Sequence, residues 1–180
     1  RNFRLDIGLL VIIVIFMFLY LLRIKPIPFA LFTTGFSAAA LEVVVLIGFQ
    51  ILYGYVYSKL SIIITAFMIG LVLGSYYMNK KIENMGKKEF VRIEYSLFFC
   101  SLLVPIILFL LSRIKNSFLV TISSHTILPL FTIIIAILVG MEFPLASKLF
   151  FKDKVRETAA LLYNADLIGA CLGALLTSAL

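Results

Sequence analysis

The chain has 180 residues, 63% of them hydrophobic and only 14% charged, with a formal net charge of +7. Its mean hydropathy is +1.15. A soluble domain carries roughly 25% charged residues and is about half apolar, so a soluble or disordered chain is excluded; two cysteines set in apolar runs likewise exclude a secreted disulfide scaffold. An all-α integral membrane protein remains. At about 20 apolar residues per span plus connections, the length allows about six transmembrane helices.

The first predicted span runs from Ile7 to Leu22 and is closed by Arg23, Lys25, Pro26 and Pro28. It is too long, and too unlike an apolar core with a cleavage site, to be a secretory signal. Between Pro26 and Met78 the only charges are Glu42 and Lys59, so Lys59 divides that stretch into spans at Phe29 to Gln50 and Leu60 to Met78. The loop NKKIENMGKKEFVR follows, then a span from Ile93 to Ser112 closed by Arg113 and Lys115. From Ser117 to Ser147 the only acid is Glu142. That stretch exceeds one span, so Ser117 to Ser124 reads as an interfacial lead-in. The loop KLFFKDKVRE separates it from a last span, Ala159 to Leu180. Apolar runs of about 20 residues without period-2 alternation are helices, not barrel strands. Residues 1–28 read as one transmembrane helix ending a preceding segment, and 29–180 as a helical bundle. The start at Arg1 and the stop at Leu180 inside an apolar run lead us to expect part of a longer protein.

Lys and Arg are unevenly shared between the two sides. Five fall with Arg1, Lys59 and Arg113, and eleven with Arg23, Lys80–Arg92 and Lys148–Arg156. The positive-inside rule makes the second side cytoplasmic, with loops 79–92 and 148–158. The excess charge is thus a topology signal, and no nucleic-acid partner is expected. Tyr53, Tyr55 and Tyr57 suggest an aromatic belt at the opposite interface.

No catalytic, cofactor or metal constellation is present. His125 is the single histidine, Cys100 and Cys171 stand alone, and no Gly-rich loop follows a strand. What remains is acid inside apolar runs: Glu42, Glu142 and Asp166. An ionised side chain at the bilayer centre costs at least about 2.5–3.5 kcal/mol, so these acids should face protein or a wet cavity. Glu42 shares a face with Gly35, Ala38 and Ala39, and Asp166 with Tyr163, Gly169, Ala170 and Gly173, near Asn164. Glu142 and Asp166 each lie about 10 Å along their helices from the same side. The short loop between their spans predicts antiparallel neighbours, which would bring both carboxylates into one proton or cation site with Tyr163 and Asn164 close by. Pro144 removes a helical donor, so a break exposing the Gly140 carbonyl beside Glu142 is expected. The competing expectation is structural: neutral carboxyls, each bonded to a neighbouring Tyr, Asn or carbonyl. The pair Gly70 and Gly74 reads as a helix-packing face.

The segments FTTGFSAAALEVVVLIGFQILYGYVY, GLVLGSYYMNKKIENMGKK, GMEFPLASK and LLYNADLIGACLGALLTSAL resemble the membrane region of multispanning spermidine synthase-like proteins. The resemblance covers about Phe29 to Leu180. It implies a membrane unit similar to part of a major facilitator half, fused to or encoded with a soluble aminopropyltransferase-like domain. Glu83, Gly86, Lys87 and Lys88 match the facilitator loop signature, whereas Asn84 stands where an Arg is expected. The family's catalytic residues belong to the soluble domain, so none is carried over to this chain. The partners implied are the lipid bilayer and either that soluble domain or other membrane subunits. Two functions are expected from this: a domain that binds or passes a small cationic solute such as a polyamine, or a non-catalytic membrane anchor.

Overall fold

The computed structural model describes residues 25–53, 57–113, 122, 126–151 and 155–179. Five long helices carry the architecture: α1 (Pro26–Tyr53), α2 (Tyr57–Lys81), α3 (Lys87–Ser112), α4 (Leu128–Phe150) and α5 (Val155–Ala179). A short 3-10 turn, Ile82–Asn84, follows α2, and there is no strand among the described residues. All five helices are long and apolar enough to cross a bilayer. The Ile7–Leu22 span, Tyr55 and His125 lie outside the described residues, as do the side chains of Tyr53 and Tyr57.

The helices outrun their apolar cores. Pro26 and Pro28 sit in the first turn of α1, where a missing N–H costs nothing. Lys80 and Lys81 close α2, where positive charge complements the helix dipole. The α2–α3 connection is tight: the Gly86 N–H donates to Glu89 Oε2 at 2.9 Å, capping α3 at its start. Helix α3 therefore begins at Lys87, well before the expected Ile93. Pro144 does not break α4, which continues to Phe150. Leu145 and Ala146, directly after the proline, are both fully buried.

The expected neighbours are not the ones that pack. Helix α4 lies along α2, and α5 lies along α1, while α4 and α5 touch only slightly. Both close pairs are made by glycine. A Cβ at Gly74 would strike the Ile137 carbonyl of α4, and one at Gly140 would strike the Leu71 carbonyl of α2. On the other side, Cβ atoms at Gly169 and Gly173 would strike the Phe32 and Phe36 carbonyls of α1. The glycine face of α5 thus serves α1 and not α4. A short loop brings helix ends together, but it does not decide which face finds a close-fitting partner. The order across the bundle is α5, α1, α4, α2, with α3 laid over the seam between α1 and α4.

The outer faces are apolar. Tyr95 is 71% exposed on α3, with Phe98, Phe99 and Phe109 alongside, and Val72 and Tyr76 are exposed on α2. Such contiguous apolar surface is untenable in water and ordinary in lipid.

Candidate functional site

The seam under α3 holds the polar chemistry. Glu142 of α4 is 0% exposed, and neither of its carboxylate oxygens has a hydrogen-bond partner among the described residues. Glu94 of α3 and the buried Thr34 of α1 face it. Oε1 of Glu94 is buried and also unpartnered. A buried carboxylate left without a partner is costly, since an unmet group forfeits its full hydration.

Glu94 also lines a cavity of about 200 Å³ between α1 and α3, together with Thr33, Thr34, Ser37, Leu97, Phe98 and Ser101. Three of the hydroxyl protons here are already committed. Thr33 donates to the Ala30 carbonyl at 2.7 Å, Ser37 to that of Thr34 at 3.1 Å, and Ser101 to that of Phe98 at 2.7 Å. These hydroxyls therefore offer lone pairs to the cavity. With the Glu94 carboxylate they make a lining dominated by acceptors, suited to a ligand that is cationic or rich in donors.

Asp166 is half-buried on α5 and lies against α1, where a Cβ on Gly35 would meet its side chain and carbonyl. Glu142 and Asp166 thus reach adjacent residues of α1, Thr34 and Gly35. The matched depth read from the sequence is present, but α1 stands between the two acids. The carboxylate facing Glu142 at close range is Glu94. Glu42 points inward, toward Phe67 of α2 and Thr132 and Ile135 of α4, beside a void of about 10 Å³ that admits at most one water. Tyr163 is 54% exposed and Asn164 is exposed too, so neither side chain is buried with the acids.

Sequence reasoning missed Glu94 and Thr34. With the span drawn from Ile93, Glu94 passes for one more loop charge. With the helix beginning at Lys87, it lies about 10 Å inside, level with Glu142. The face 94, 97, 98, 101 carried the signal, because it repeats at helical spacing and ends on Ser101.

A second cavity, of about 610 Å³, lies between the ends of α2 and α4 and is lined by Ser75, Asn79, Phe143, Ser147, Lys148 and neighbours. At its rim the Lys148 ammonium donates to the carbonyls of Ile82, Glu83 and Met85 at 2.6, 3.0 and 2.9 Å. All three ammonium protons are used, so this charge ties the α2–α3 turn to α4. No family model, curated protein or solved structure matches this chain.

Proposed function

We propose that this chain is a multi-pass membrane domain that binds a small cation at the Glu94–Glu142 junction. The single observation behind it is Glu142: a wholly buried acid with both oxygens unpartnered, faced by a second acid beside an acceptor-lined cavity. A net negative, poorly satisfied cluster is a place where a cation gains more than it loses by leaving water. The resemblance to the membrane region of spermidine synthase-like proteins suggests a polyamine as the solute, a facilitator-like bundle of about six spans, and an aminopropyltransferase-like partner domain. In this reading the domain sits in the cytoplasmic (inner) membrane, with loops 79–92 and 148–158 facing the cytoplasm.

A second reading is favoured at the other two acids. Glu42 beside its one-water void, and Asp166 pressed on Gly35, have no room for a solute. They suit an anchor held together by neutral carboxyls.

The test is equilibrium binding of labelled spermidine and methylammonium to the purified protein in lipid nanodiscs. Glu142→Gln and Glu94→Gln should each weaken binding at least tenfold, and Glu42→Gln should leave it within about twofold. Equal binding by all three variants, or no binding by the wild type, would remove the cation-site reading and leave the anchor.

A further inference from the structure

We infer that Glu94 and Glu142 hold one proton between them, and that a cation entering the Thr33–Ser37–Ser101 cavity is exchanged for it. This rests on the cation-site reading above and adds its coupling to protons.

The argument starts from what surrounds Glu142. Helix α3 presents Glu94, α1 presents the Thr34 hydroxyl, and α5 presents Asp166 at longer range. Helix α2 meets α4 through Gly70, Gly74 and the Leu71 backbone, with no charged group. The nearest base on α4 is Lys148, and its protons go to three carbonyls at the helix end. Among the described residues, therefore, no Lys or Arg faces the pair. Two ionised carboxylates in such a place would carry both the burial penalty and their mutual repulsion. A proton or another cation must make up the difference.

The two acids are not equivalent. Glu94 opens onto the cavity, while Glu142 is sealed behind it. Glu142 is thus the store and Glu94 the point of exchange. Thr34 faces both. Its hydroxyl can donate to the ionised member and accept from the protonated one. When a monovalent cation reaches Glu94, the O–H bond of the carboxylic acid breaks. The electron pair of that bond stays on Glu142, the proton crosses to the Glu94 carboxylate, and the arriving cation displaces it there. The proton leaves through the cavity to water as hydronium. One positive charge enters and one departs, so the net charge of the junction does not change.

Infrared spectra and proton counting on the wild-type protein in nanodiscs test this. At neutral pH a protonated-carboxyl carbonyl stretch should be present, and Glu142→Gln should remove one component of it, leaving any contribution from Glu42 and Asp166. If that variant does not fold, Glu142→Asp should shift the band instead. With a pH indicator, binding of methylammonium should release about one proton per cation. Glu94→Gln should keep the band and cut the release at least tenfold. Cation binding without proton release, or a band that survives Glu142→Gln unchanged, would overturn the exchange and leave the cation site standing. Failure to bind methylammonium or spermidine would overturn both.

Discussion

Helix α4 has two working faces, and they obey opposite rules. Toward α2 it is dry, and backbone lies on backbone: Gly74 meets the Ile137 carbonyl, and Gly140 meets that of Leu71. Toward α1 and α3 the same helix presents a carboxylate without a partner, next to a cavity lined by hydroxyls. Lipid gives no hydrophobic push between helices, so close approach and polar contact must hold the bundle. The first face supplies rigidity. The second leaves interactions unmet, which suits a place where something binds. Glu142 lies only two residues from Gly140, so the acid is displayed beside one of the close backbone contacts between α4 and α2.

If the dry face is what holds the bundle, filling it should do the most damage. Gly74→Leu should cost well beyond the roughly 1–3 kcal/mol usual for overpacking, because the obstacle is backbone. Thermal unfolding in detergent measures it, and a wild-type melting curve would break the comparison. A smaller loss is expected where charge is forced inward. Glu42→Lys should destabilise by about 2.5–3.5 kcal/mol relative to a tolerated Glu42→Gln, since a cation would be buried unpaired. Equal stability of the two would place Glu42 at lipid or water. Smaller again is Lys148→Met, at about 1–3 kcal/mol for three lost charged hydrogen bonds. Hydrogen exchange should then rise at residues 82–86 and not along α4. The mildest change sharpens the orientation. A Cβ at Gly86 has only Glu89 Oε2 for company, at 3.6 Å, so Gly86→Cys should fold normally after Cys100 and Cys171 are replaced. A membrane-impermeant maleimide added to intact cells should fail to label it. Ready labelling would place that loop outside.

Much of this was legible in the residues. Apolar runs bounded by Lys and Arg located all five described helices, with ends within about four positions except the start of α3, and 3.6-residue periodicity turned Glu42 inward. The helix pairing was not legible. Gly169 and Gly173 announce a close approach, yet any smooth backbone can accept them, and the short α4–α5 loop pointed to the wrong one. Glu94 escaped because its seven residues of helical lead-in, from Lys87, are charged enough to pass for a loop. Tyr163 and Asn164 show the reverse case: closeness to Asp166 in sequence placed them beside the site, while both side chains lie exposed on α5, Asn164 about 200° around the helix from Asp166.

The pairing of α1 with α5 has a consequence for how the protein is made. Ribosomes add roughly 5–20 residues per second. On the order of ten seconds therefore separates the emergence of Gly35 from that of Asp166, about 130 residues later. Through that interval α1 lies in the membrane with its carbonyl-lined groove uncovered, waiting for the last of these helices to arrive.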